Sequence, residues 1–137
     1  MPFYKETFLT PHAEADMPKR VLIIDDETDL LEALDSWLGS YGYEVSTAKD
    51  GAEGLSRAKE LRPDLVILDI SMPKMDGFEV LSLIRADTQT ALTPVVMLTA
   101  KGRTENIFEA EKLRAVDFLI KPFDATELLT SVRKNIR

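Results

Sequence analysis

Four short apolar runs each end on a polar residue of a different kind: Asp25-Asp26, Asp69, Thr99 and Lys121. The runs are Val21-Leu22-Ile23-Ile24, Leu65-Val66-Ile67-Leu68, Val95-Val96-Met97-Leu98 and Phe118-Leu119-Ile120. Three carboxylates held close together repel, and one stays protonated unless a cation intervenes. A small hard cation, Mg²⁺ or Mn²⁺, resolves the conflict. Mg²⁺ accepts one or two carboxylates, keeps waters, and completes its octahedron with phosphate oxygens. With one carboxylate as nucleophile and the others as metal ligands, the set suits attack on a phosphoryl group. Such transfer depends mostly on positioning and on neutralising the phosphoryl oxygens. The metal covers one oxygen, the Lys121 ammonium pairs with another, and the Thr99 hydroxyl hydrogen-bonds a third. An aspartyl phosphate on Asp69 is the product this arrangement would hold. Singly, each residue has a plainer reading: a solvated turn or helix cap at Asp25-Asp26, a surface lysine before Pro122, a strand-end hydroxyl at Thr99. Their joint arrival at separate strand ends is what points to a site. No Gly-rich phosphate loop, oxyanion loop or His/Cys metal spacing competes for the same rim.

These residues meet only if the runs are neighbouring strands. Short continuous runs of β-branched and aliphatic residues read as strands buried on both faces of a parallel sheet, with ligands at the strands' carboxyl ends. From Lys19 onward, strand and helix patterns alternate five times. Leu30, Leu34, Leu38 and Tyr41 repeat at helical spacing, and Gly42 follows as a stop. Tyr43 to Ala48 alternates apolar and polar, as a more exposed edge strand would. Helices are expected over about 50–61, closed by Arg62-Pro63 because a residue before proline avoids the α region, then over about 76–85, 104–113 and from about 124 onward. Asp-x-x-Glu opens three of them, at Asp50/Glu53, Asp76/Glu79 and Asp124/Glu127, with Asp29/Glu32 as a fourth candidate; this is a capping-box variant and gives those acids a structural task. Alternating β and α with right-handed crossovers makes a doubly wound, flavodoxin-like α/β fold: a five-stranded parallel sheet in the order 2-1-3-4-5, with five helices. Strands one and three are then neighbours, so Asp25-Asp26 faces Asp69 across the switch point.

A chain of 137 residues suits one domain with a sizeable core. Its net charge of -7 argues against direct nucleic-acid or membrane-surface binding by this segment. The absence of cysteine excludes disulfides and thiolate metal sites and fits a cytoplasmic setting. Residues 1–18 carry Pro2, Pro11 and Pro18 without sustained periodicity and lack the apolar core of a signal peptide. They read as a flexible N-terminal extension outside a domain spanning 19–137, although Phe3, Tyr4, Phe8 and Leu9 are unusually apolar for a free tail.

Ile23-Ile24-Asp25-Asp26-Glu27, Ile67 through Gly77 (Ile-Leu-Asp-Ile-Ser-Met-Pro-Lys-Met-Asp-Gly), Leu98-Thr99-Ala100-Lys101-Gly102 and Asp117 through Phe123 (Asp-Phe-Leu-Ile-Lys-Pro-Phe) resemble, in register, the receiver domain of two-component response regulators. The resemblance covers roughly residues 19–137. It implies that Asp69 is the phosphoacceptor, charged by a histidine kinase or histidine phosphotransfer protein. It implies that Asp25, Asp26 and the Ser71 backbone carbonyl hold the metal. Thr99 and Phe118 would be the switch pair, turning inward to change the face made by helix four, strand five and helix five, where a downstream protein docks. Ser71 and Lys101 would flank the attacking water and tune dephosphorylation, and the Lys121–Pro122 bond would be cis. The domain would phosphorylate and dephosphorylate itself without turning over an external substrate, so it would not be an enzyme in the usual sense. The chain stops at Arg137, where a last helix would end, which fits a stand-alone receiver or the receiver of a longer regulator.

Arg114 stands where the family usually has a glycine, so the turn there must accept a strained backbone or change shape. Val116 and Ser131 replace an acid and a base at positions resembling the salt-bridged dimer face of the winged-helix regulators, which puts that dimer mode in doubt. Two other classes compete. A dehalogenase-like phosphohydrolase with an aspartyl-phosphate intermediate wants a second aspartate two residues after the nucleophile, where this chain has Ser71. A flavin carrier wants a phosphate loop where this chain has Asp25-Asp26-Glu27, which would repel a phosphate.

Overall fold

The computed structural model describes residues 17–100 and 104–137. Strands β1 (Arg20–Ile24), β2 (Glu44–Ala48), β3 (Leu65–Asp69), β4 (Val95–Ala100) and β5 (Asp117–Lys121) alternate with helices α1 (Thr28–Ser40), α2 (Gly51–Leu61), α3 (Gly77–Ala86), α4 (Thr104–Lys112) and α5 (Ala125–Asn135). The strands form one parallel sheet in the order β2-β1-β3-β4-β5, as the alternation of patterns predicts. Of the expected N-terminal extension, residues 1–16 lie outside the described residues, as does Lys101.

Successive side chains of a strand point to opposite faces, and here that rule splits the core in two. Leu22, Ile24, Val66, Leu68, Val95 and Met97 pack under α2, α3 and α4 with Ala58, Val80, Leu81, Ile84 and Ala110. Val21, Ile23, Leu65, Ile67, Val96 and Leu98 pack under α1 and α5 with Leu31, Leu34, Leu38, Leu128 and Val132. Burial of both faces explains why β1, β3 and β4 read as continuous apolar runs. The expectation of equal burial for the fourth run, Phe118-Leu119-Ile120, fails: β5 has a neighbour only at β4, and Ile120 is 42% exposed.

The helix starts divide by which glutamate oxygen reaches which amide. At α3 and α5 the capping box closes fully, through Asp76 with Glu79 and Asp124 with Glu127. At α2, Asp50 accepts from the Glu53 amide, but the Glu53 carboxylate takes the Lys49 N–H at 2.8 Å, one residue further back. The fourth candidate is corrected: the N-cap of α1 is Glu27, without a side-chain cap, and Asp29 already lies inside the helix. α2 stops before Pro63 as expected, yet Arg62 adopts the left-handed conformation at φ 47° rather than an extended one. Arg114 takes φ 64°, the backbone that glycine would adopt more cheaply. Arg85 braces that turn: its guanidinium donates to the carbonyls of Leu113, Ala91, Thr93 and Arg114 at 2.7–3.2 Å.

One close approach fixes the loop after β3. The Gly77 N–H donates to the Ile70 carbonyl at 2.8 Å. A Cβ at residue 77 would collide with the Asp69 carbonyl oxygen and lie 2.7 Å from the Ile70 Cα. Backbone cannot yield as a flexible side chain can, so Gly77→Ala is expected to destabilise by about 2–3 kcal/mol in urea unfolding. Gly39→Ala, in the exposed last turn of α1 with nothing within 4 Å of the added carbon, is expected to be neutral or to stabilise by up to about 1 kcal/mol. Equal effects of the two substitutions would overturn the close-approach account.

Candidate functional site

Strand register brings the acidic residues together. Ile24 pairs with Leu68 across β1 and β3, so Asp25 and Asp69 emerge side by side, one residue later on each strand. Both continue the alternation that carries Ile23 and Ile67, the α1/α5 side of the sheet. Ala100 pairs with Lys121 across β4 and β5, and the long lysine side chain reaches back over the strand ends. Its Nζ lies 3.0 Å from Asp25 Oδ2, 2.9 Å from Glu27 Oε1 and 3.4 Å from Asp69 Oδ1. Asp25 is 0% exposed and Asp69 4%, whereas Asp26 and Ser71 are exposed beside them. Thr99 is buried at the end of β4, Phe118 is half-buried against the α2/α3/α4 core, and the Lys121–Pro122 bond is cis. All the singled-out residues whose positions are described therefore lie at or next to the carboxyl rim, except Phe118, which sits lower on β5.

The electrostatics follow from one ammonium facing several carboxylates. Burial pushes the Asp69 carboxyl up from 3.8 to about 6, helped by the charge of Asp25 and opposed by Lys121 and the Ser71 backbone N–H. Burial likewise raises Asp25, while the Glu27 backbone N–H and Lys121 pull it down. Burial works against the charge on Lys121, but its bonds to Glu27 and Asp25 and the attraction of Asp25 and Asp69 win, and its pKa is raised. Oxygens of Asp25, Asp26 and Asp69 all lie within 4.8 Å of one another. Three carboxylate oxygens, with more negative charge than Lys121 offsets, suit a hard divalent cation that takes oxygen ligands. Glu27 is the partner that the sequence did not single out. Its only signal was its place directly after the acidic pair. A second such residue is Asn106 of α4, whose Nδ2 donates to Thr99 Oγ1 at 3.3 Å.

Because the folded-state carboxyl of Asp69 titrates near 6 and an unfolded aspartate near about 3.9, the folded protein holds that proton more tightly. Stability linked to it is therefore present below about pH 4 and lost as pH rises to about 6. At pH 7.5 in a chelator, Asp69→Asn is expected to stabilise by up to about 3 kcal/mol, and the gain should shrink as pH falls through 6 towards 4. Urea midpoints at both pH values check this, and a gain of the same size at pH 4 and 7.5 would contradict it.

Residues 21–133 match the family described as the response regulator receiver domain. Among curated relatives, the DNA-binding dual master transcriptional regulator RpaA of Synechocystis is 42% identical over 118 residues, covering 86% of this chain and 49% of that protein. The DNA-binding response regulator MtrA of Mycobacterium tuberculosis is 39% identical over 121 residues, covering 88% of this chain and 52% of that protein. The chain thus spans about half the length of the curated relatives it matches. The chemotaxis protein CheY4 of Vibrio cholerae superposes with a TM-score of 0.83 at 35% identity, covering 87% of this chain and 99% of that one. The receiver domain of NtrX from Brucella abortus gives 0.78 at 32%, covering 84% and 96%. Such a domain is a signalling module rather than a turnover enzyme. With its acidic cluster at the carboxyl rim of a five-stranded parallel sheet, this chain belongs to the response regulator receiver domain family.

Proposed function

We propose that this domain receives a phosphoryl group on Asp69 from a histidine kinase or histidine phosphotransfer protein. The observation that carries the reading is the convergence of Asp25, Asp26 and Asp69 oxygens within 4.8 Å, with the Lys121 ammonium touching two of the three. A carboxylate oxygen of Asp69 attacks phosphorus, and the bond from phosphorus to the donor's imidazole nitrogen breaks, its electron pair leaving with the nitrogen. Asp25, Asp26 and the Ser71 backbone carbonyl would hold Mg²⁺ or Mn²⁺. When bound, the ion supplies neutralisation of phosphoryl charge and a fixed orientation for the oxygens. Lys121 neutralises a second phosphoryl oxygen, and the Thr99 hydroxyl donates to a third. Burial of Asp69 excludes bulk water and strengthens each of these interactions.

Hydrolysis of the acyl phosphate by water resets the domain, and the identities of Ser71 and Lys101 tune that step. Phe118 and Thr99 respond to the phosphoryl group and alter the face of α4, β5 and α5, which presents the state to a downstream protein. An apolar groove of about 390 Å³, lined by Leu30, Trp37, Pro122 and Phe123, adjoins Glu27 and Lys121 and supports approach of a donor protein along α1. Net charge of -7 supports output through protein contacts rather than direct nucleic-acid binding by this segment. The setting is the cytoplasm; among the described residues no helix is long and apolar enough to cross a membrane.

Acetyl phosphate with Mg²⁺ is expected to add one phosphoryl mass to the wild type, detected by intact-protein mass spectrometry. Asp69→Asn should show none, and a chelator should abolish labelling of the wild type. Equal labelling of wild type and Asp69→Asn would remove Asp69 as the acceptor.

A further inference from the structure

Thr99 lies on the wrong side of the sheet for the task assigned to it. Alternation along β4 places Thr99 with Met97, in the core under α2, α3 and α4, whereas Asp25, Asp69 and Lys121 continue the opposite face. On that side its hydroxyl oxygen accepts a hydrogen bond from Asn106 Nδ2 at 3.3 Å, and its own proton is directed at the Ala100 carbonyl at 3.4 Å. Thr99 is 3% exposed, so water does not readily replace these partners. Asn106 sits in the first turn of α4, the helix that borders the signalling face.

We propose that Asn106 is a latch: its amide holds the Thr99 hydroxyl toward α4 in the unmodified domain and must release it when a phosphoryl oxygen on Asp69 claims that hydroxyl. The inference rests on Asp69 being the acceptor. A rotation of about 120° about the threonine Cα–Cβ bond, one staggered well to the next, carries Oγ1 away from Asn106. The amide then either loses its partner or draws the first turn of α4 after it. Occupancy of the site and placement of α4 are thereby coupled through one shared oxygen. Asn106 touches neither metal nor phosphoryl group, so it is a positioning residue, acting by stabilising the unmodified state.

Removing the latch should favour the state that mimics phosphorylation. Beryllofluoride, the phosphoryl analogue, is titrated calorimetrically in saturating Mg²⁺ into the wild type, Asn106→Ala and Asn106→Leu, the last retaining the side chain's bulk. Loss of one side-chain hydrogen bond from the unmodified state predicts about 2- to 10-fold tighter binding for both variants. In a Thr99→Val background, which binds more weakly, the same two substitutions should leave affinity unchanged, because the latch has no hydroxyl to hold. Unchanged or weaker binding by Asn106→Ala and Asn106→Leu, with the wild type binding normally, overturns the latch and leaves the acceptor reading in place. Tightening of equal size in the Thr99→Val background also overturns it, showing general loosening of α4 instead. A wild type that fails to bind beryllofluoride with Mg²⁺ overturns the acceptor reading itself, and the latch with it.

Discussion

A single ammonium set among buried carboxylates is the constraint around which the carboxyl rim is organised. Lys121 bridges Asp25, Glu27 and Asp69, drawing together residues up to 96 positions apart. Ion pairs at this depth carry desolvation costs that rival their attraction, so the arrangement is weak evidence for stability. Asp69 shows the imbalance directly, its carboxyl pushed up to about 6 by burial and by Asp25 despite the lysine. A cluster with surplus negative charge is poor at holding a fold and well suited to a hard cation, whose positive charge relieves repulsion already present.

Parallel register is what makes so much charge possible in one place. Each strand delivers its terminal side chain to the same rim, and the pairing of Ile24 with Leu68 sets Asp25 beside Asp69 without any loop having to be ordered for the purpose. The same alternation separates the rim into two sides. Asp25, Asp69 and Lys121 continue the layer under α1 and α5, while Thr99 continues the layer under α4 and Phe118 packs on that same core. A chemical event on one side must therefore cross the sheet to reach the other, which is the task proposed here for Thr99 at the end of β4 and Phe118 within β5.

Most of this was legible in the chain because it depends on local pattern. Continuous apolar runs gave β1, β3 and β4, and Asp76/Glu79 and Asp124/Glu127 gave two closed capping boxes at the expected positions. Where expectation and structure part, long-range context decides. Asp29/Glu32 has the spacing of a cap, but the Glu27 carboxylate is engaged by Lys121 from a strand 94 residues away, and α1 begins before Asp29. Arg62 was expected to stop α2 and does, but in a left-handed backbone that proline spacing does not encode. The exposure of β5 follows from its place in the sheet order rather than from its composition. The Lys121 partner of Glu27 and the part played by Asn106 were not legible, because a single polar side chain declares its partner only once distant strands and helices have been packed.

The two ends of the sheet are held by different kinds of interaction. At the amino edge, Arg85 donates to four carbonyls from the α3–β4 loop and the α4–β5 turn, Arg20 bonds through its backbone N–H to Asp64 and through its guanidinium to the Leu61 carbonyl, and buried Thr90 caps the Ile84 carbonyl. These bonds end on neutral backbone or on the half-buried Asp64 carboxylate, at the opposite end of the strands from the acidic cluster. At the carboxyl rim the ties are ionic, centred on Lys121, with the α4 side joined through the long hydrogen bond from Asn106 to Thr99. α4 runs between both ends: the turn that follows it is pinned by Arg85 through Leu113 and Arg114, and its first turn is held through Thr99. Under the proposed latch, a new charge at Asp69 would act on the first turn of α4, while the turn after its last residue stays held by Arg85.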